Sequence, residues 1–89
     1  MSIKTIEDHL NAGRLSVTVM DDGSGILLDS EQEALFNLNA TGLFIIERIR
    51  EGCGSVKALA DALAGAFEVD QKRARVDAEK FVTDLSASL

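Results

Sequence analysis

Glu33-Ala34-Leu35-Phe36-Asn37-Leu38-Asn39-Ala40-Thr41-Gly42-Leu43-Phe44-Ile45-Ile46 is the stretch in which the chain changes its periodicity. Up to Leu38 the side chains alternate. Ala34, Phe36 and Leu38 fall on one face of an extended strand, and Glu33, Leu35 and Asn37 on the other. From Asn39 onward the apolar residues recur at helical spacing, with Ile45, Ile46 and Ile49 in one stripe. Asn39 stands where a helix of about Ala40 to Arg50 needs a cap, because its side-chain oxygen can accept from an unpaired N–H of the first turn. A strand therefore passes into a helix through one capping residue.

Working back from this junction, Leu15-Ser16-Val17-Thr18-Val19-Met20 alternates and carries β-branched residues, the pattern of a strand. Asp21-Asp22-Gly23-Ser24-Gly25 is a turn, and Ile26-Leu27-Leu28 a second short strand ended by Asp29-Ser30-Glu31. Three strands joined by short turns predict a meander, which leaves the third strand at an edge. Before them, Ile3, Ile6 and Leu10 are spaced three and four apart. Residues 1–14 are expected to be an arm, flexible or briefly helical, ahead of a domain over residues 15–89.

Working forward, Gly52 in Glu51-Gly52-Cys53-Gly54 is placed to end the first helix in a left-handed conformation. Ser55 caps the next, whose Val56, Leu59, Ala60, Leu63 and Phe67 keep helical spacing. After Glu68-Val69, Asp70 caps a final helix with Ala74, Ala78, Phe81, Val82, Leu85 and Leu89 on its apolar face. Strands segregated from helices in this way indicate an α+β domain, a three-stranded antiparallel β meander followed by three α-helices.

Composition removes several functions. The chain has 89 residues, enough for one small core. A net charge of −6 argues against nucleic acid and anionic membranes, whose phosphates need clustered Lys and Arg. A single cysteine, Cys53, and a single histidine, His9, allow no internal disulfide, no Cys/His zinc site and no thiol pair. A reducing cytoplasm fits that usage, and no apolar run suggests a signal peptide or membrane span. No metal or cofactor is expected. Asp21 to Gly25 lacks EF-hand spacing, and Gly52-Cys53-Gly54-Ser55 lacks the third glycine and preceding strand of a phosphate loop. Cys53 and His9 read as incidental. The four phenylalanines, Phe36, Phe44, Phe67 and Phe81, are most simply core.

Several stretches together resemble the pyrroloquinoline quinone biosynthesis protein D (PqqD) family. They are Leu27-Leu28-Asp29, Leu35-Phe36-Asn37-Leu38-Asn39-Ala40-Thr41-Gly42, Ile45-Ile46-Glu47, Ser55 to Leu63, Phe67-Glu68-Val69-Asp70 and Asp77 to Leu85. The Leu-Asn-x-Thr-Gly turn is the most specific part, and Ile46 stands where the family often has an aromatic. The resemblance implies a winged-helix-like fold without catalytic activity. It further implies a chaperone that takes the leader of a precursor peptide as an added strand, as in cofactor or peptide natural-product biosynthesis. The leader would lie beside the third strand and against the last helix, for presentation to a modifying enzyme, often a radical S-adenosylmethionine protein.

The residues expected to bind the peptide are thus Glu33, Ala34, Leu35, Phe36, Asn37 and Leu38 on the strand, with Lys72, Arg75, Val76 and Glu79 on the last helix. Backbone pairing on an unpaired edge supplies affinity, and side chains at alternate positions supply selectivity. The helix residues are chosen because Lys72, Arg73, Arg75 and Lys80 make a basic cluster with Val76 opposite the main apolar face. A solvated face with Arg75–Glu79 and Lys80–Asp84 pairs is the plainer alternative. Competing functions are a winged-helix DNA-binding domain and a homodimer joined by the same edge. An acyl carrier lacks its motif, because Asp29-Ser30-Glu31 has no following leucine.

Overall fold

The computed structural model describes residues 3–89. Helix α1 (Ile3–Asn11) is followed by strands β1 (Leu15–Val19), β2 (Gly25–Asp29) and β3 (Ala34–Leu38), then by helices α2 (Ala40–Arg50), α3 (Val56–Phe67) and α4 (Gln71–Ser88). The strands form one antiparallel sheet in the order β1-β2-β3. Leu15 is opposite Asp29 and Asp29 opposite Ala34; two residues along, Val17, Leu27 and Phe36 share a row. The Asp21 to Gly25 segment is a hairpin turn. Met20 N–H donates to Ser24 C=O at 2.8 Å, and the Asp22 carboxylate accepts from the Ser24 N–H and hydroxyl.

One sheet face and all four helices enclose a single core. The sheet contributes Leu15, Leu27 and Leu38; α2 contributes Leu43, Ile45, Ile46 and Ile49; α3 contributes Leu59, Ala60 and Leu63; α4 contributes Ala74, Ala78, Val82 and Leu85. Alanines at the α3–α4 seam let the two backbones come close. Helix α1 belongs to the same core, since Ile6 is fully buried and Ile3 nearly so. Asn39 and Ser55 cap α2 and α3 through the N–H groups of Gly42 and Ala58, and Asp70 caps α4 through Lys72. Gly52 takes φ +103° after α2, a conformation that favours glycine. Among the described residues no helix is long and apolar enough to cross a membrane.

Two expectations need correction. The phenylalanines ring the core and do not fill it. Phe36, Phe44 and Phe81 are half-buried, and Phe67 is exposed. Phe44 and Phe67 meet edge to face at 5.4 Å, with the Arg48 guanidinium 4.9 Å from the Phe44 ring centre. Leu and Ile fill the interior instead. Glu33 is not a strand residue: at φ +54° it lies in the left-handed region, closing the turn between β2 and β3. Glu68 does the same after α3.

Among the described residues the buried polar group is Asp29, at the inward-facing end of β2. Arg14 grips it with two parallel bonds, Nε to Oδ1 at 2.9 Å and Nη2 to Oδ2 at 3.0 Å. The same carboxylate accepts from the Glu31 and Gln32 backbone N–H groups and from Gln32 Nε2. Gln32 Nε2 also reaches Ser88 C=O at 2.9 Å, Arg14 Nη2 lies 3.5 Å from Leu89 C=O, and Arg14 Nη1 is 3.3 Å from His9 Nε2. The end of α1, the β2–β3 turn and the end of α4 therefore meet at one carboxylate.

The Arg14 hydrogen bonds hold the Asp29 carboxyl well below its ordinary value of 3.8, against the opposing effect of burial and with help from Gln32 and Glu31. A depressed native value stabilises the fold in full above the unfolded value, and that stabilisation fades as pH falls toward the native one. Asp29→Asn should lower the urea midpoint by a constant amount from neutral pH down to about pH 5, with the gap to wild type narrowing below about pH 4. A gap of unchanged size at acid pH would contradict this assignment.

Candidate functional site

Strand β3 has β2 on one side and no strand on the other. In an antiparallel ladder, alternate residues of such a strand aim both N–H and C=O outward. Helix α4 runs alongside the open edge and leaves a groove. Its first section, about 200 Å³, lies between Phe36, Asn37 and Leu38 of β3 and Phe81, Asp84, Leu85 and Ser88 of α4. The groove continues past the end of β3 into a wider section of about 410 Å³. There Asn39, Thr41, Gly42 and Ile45 at the start of α2 face Arg73, Asp77, Lys80, Phe81 and Asp84 of α4.

The Leu38 to Gly42 turn builds the corner between these sections. Leu38 is the last inward residue of β3 and is buried. Asn39 turns the chain and accepts the Gly42 N–H at 2.8 Å. Gly42 sits directly beneath Phe81: a Cβ there would lie 3.0 Å from Phe81 Cε1 and 3.3 Å from Asn39 Oδ1. Glycine is required here for close approach, since its φ is not among the positive ones. Phe81 thus rests on the helix start and becomes the wall shared by both sections.

The section beside β3 is mainly apolar, whereas the wider section is largely polar, with charge along the α4 rim. Arg73 pairs with Asp77 at 3.7 Å, the ion pair formed within α4 among the described residues. Neither Arg75–Glu79 nor Lys80–Asp84 is formed. Among the described residues no cluster of three or more His, Cys, Asp or Glu side chains could hold a metal ion. An apolar trough beside unpaired backbone groups can take an extended chain, with side chains entering the trough at alternate positions.

The structure brings together some of the residues expected at the site and separates others. Phe36, Asn37 and Leu38 line the groove, Ala34 is half-buried at the far end of the strand, and Leu35 is exposed on the outer sheet face. Glu33 lies in the adjoining turn. On α4, Lys72 and Arg75 do not line the groove. At 100° per residue Lys72 points roughly opposite Phe81, and Arg75 points roughly 120° away, on the other flank. Val76 and Glu79 line a separate shallow depression with Lys80, Thr83 and Asp84 on the outward side of the helix. The basic cluster is compact in sequence and dispersed around the helix.

The residues that face β3 from α4 are Phe81, Asp84, Leu85 and Ser88. Phe81 and Leu85 were visible as an apolar pair at i and i+4, but that spacing serves equally for core. Only the approach of α4 to the strand edge distinguishes them.

Gly42→Ala tests the corner. The added methyl must displace Phe81, a cost of about 1–3 kcal/mol for overpacking, which exceeds the roughly 1 kcal/mol gained from alanine's helix propensity. The variant is expected to be about 1 kcal/mol less stable and to shift the Phe81 ring resonances. An increase in stability would show that the approach is not tight.

The comparisons with known proteins agree with this geometry. The family model described as Coenzyme PQQ synthesis protein D (PqqD) matches residues 24–88. None of the curated proteins matches the chain. Among solved structures, a lasso peptide synthetase B1 complexed with its leader peptide is 29% identical with a TM-score of 0.71, over 84% of this chain and 86% of that one. The protein TbiB1, in complex with the TbiA(beta) leader peptide, has the same fold, with a TM-score of 0.74 at 23% identity over 84% of this chain and 85% of that one. The matched residues run from the turn before β2 to the end of α4 and so include β3, the Asn39 corner and the groove: the chain belongs to the PqqD family.

Proposed function

We propose that this protein is a non-catalytic recognition element. It binds the leader of a ribosomally made precursor peptide as a fourth strand on β3 and presents it to a modifying enzyme. The observation that carries this reading is the coincidence of an unpaired strand edge with an apolar trough along the same residues, Phe36 to Leu38 against Phe81 to Leu85. Either feature alone is common on small domains. Together they supply backbone pairing and side-chain pockets to one extended ligand. Membership of the PqqD family and the leader complex of the lasso peptide synthetase B1 support the same reading.

The binding residues in this proposal are Ala34 to Leu38 on the strand and Phe81, Asp84, Leu85 and Lys80 on the helix. Val76 and Glu79 would contact the ligand only at the outer rim. Lys72, Arg75 and Glu33 stand outside the trough. The receiving enzyme is one that alters ribosomal peptides, and radical S-adenosylmethionine proteins are the candidates the resemblance favours. The proposed location is the cytoplasm, where such peptides are made. The same edge could join two copies of the chain, and a homodimer of that kind would compete with the peptide. A DNA-binding reading draws no support from α3, whose sole basic residue, Lys57, is bonded to Asp61 at 3.2 Å.

An NMR titration with the short peptide encoded beside this protein's gene tests the proposal. Shifts should concentrate at residues 34–38 and 80–88, saturating at micromolar concentration or tighter. Phe81→Ala should weaken binding about tenfold, equivalent to about 1.4 kcal/mol, by removing the shared wall. Lys80→Glu should change affinity, whereas Arg75→Glu should leave it within about twofold, because a rim charge away from the ligand contributes little. Absence of shifts at β3 in a folded sample would remove the proposed function.

A further inference from the structure

The groove accounts for only one face of the strand that would fill it. Residues of an added strand alternate between the two faces of the sheet, so every second side chain must lie on the side away from α4. That outer face is not polar along its full width. Ser16, Leu28 and Leu35 form one cross-strand row, and Leu35, on the edge strand, is its last member. Leu35 is 68% exposed, the most exposed large apolar side chain among the described residues, and its neighbour Leu28 is 40% exposed. The next row, Thr18, Ile26 and Asn37, ends in an amide. The outer face thus presents one apolar step at the open edge, with a polar residue beside it.

We infer that the ligand strand is apolar on both of its faces: an outward side chain covers Leu35, and the next side chain, level with Phe36, enters the Phe36–Phe81–Leu85 trough. This rests on the peptide-binding reading and specifies the ligand it takes. An amphipathic strand with a polar outer face would leave Leu35 and Leu28 in water and forgo the cross-strand pair. The recognised segment therefore holds two adjacent apolar residues, one directed into the trough and the other, aliphatic or aromatic, directed away from α4. A directly opposed apolar pair on a sheet surface changes affinity by up to about fivefold, enough to select among peptides that satisfy the trough equally.

Selection from a displayed library of random peptides tests this, using the full chain as wild type and as Leu35→Lys, an exposed substitution that leaves the core untouched. Wild type is expected to enrich two adjacent apolar residues. Leu35→Lys is expected to keep the trough residue and to replace the outward one with Asp or Glu, by charge pairing across the strands. An outward position that is unrestricted for wild type, or unchanged in the variant, would overturn the inference while leaving strand capture intact. Failure to enrich any peptide, or enriched peptides that leave the β3 amides unshifted, would overturn both.

Discussion

The fold depends on a carboxylate placed where a hydrophobic residue would otherwise go. Asp29 occupies the inward position of β2 two residues after the fully buried Leu27, and it is itself fully buried. Arg14 and Gln32 make that tolerable by supplying donors to both oxygens. A buried ionised group with its partners in place is also a geometric demand, because losing any partner leaves a charge without compensation. This demand fixes the start of β1 against the end of β2. It sets the Ser30 to Glu33 turn that delivers β3. Through the Ser88 carbonyl it also sets how far α4 lies along the sheet. The width of the groove between β3 and α4 follows from these placements.

At the other end of the groove the constraint is steric. Gly42 lets α2 begin directly under Phe81, and Asn39 makes the turn possible without an unpaired N–H. Between a polar clamp at one end and a close backbone approach at the other, α4 is held beside the edge without covering it. Most sheets pair, shorten or charge their edges to avoid unwanted pairing. Here β3 is short and follows two turn glutamates, Glu31 and Glu33, yet its middle remains open.

Much of this was legible in the sequence. Strand alternation over Ala34 to Leu38, the Asn39 cap, the Ser55 and Asp70 caps and the Gly52 terminator all act through local geometry, and local geometry is written in local spacing. The three-dimensional neighbours were less legible. Nothing near Arg14 in sequence points to Asp29, which reads in sequence as the break after the second strand and is in fact its last, inward-facing residue. The placement of α4 was hidden for a related reason. Lys72, Arg75, Val76 and Glu79 stand out by charge and by distance from the apolar stripe, and the side of the helix that meets β3 is set by tertiary packing. The phenylalanines misled because aromatic residues on a small domain serve as rim and as core with the same spacing.

The length of β3 sets how much of a partner can be read. Five residues in extended conformation span about 17 Å. A chain laid along them shows the strand an address of some five letters, and whatever lies outside the groove passes by unread. In the proposed role, such a reader does not inspect the part of a longer polypeptide on which chemistry is done. The address and the cargo would then be physically independent, so the cargo could diversify without loss of delivery. One short edge can serve any sequence that carries the right label.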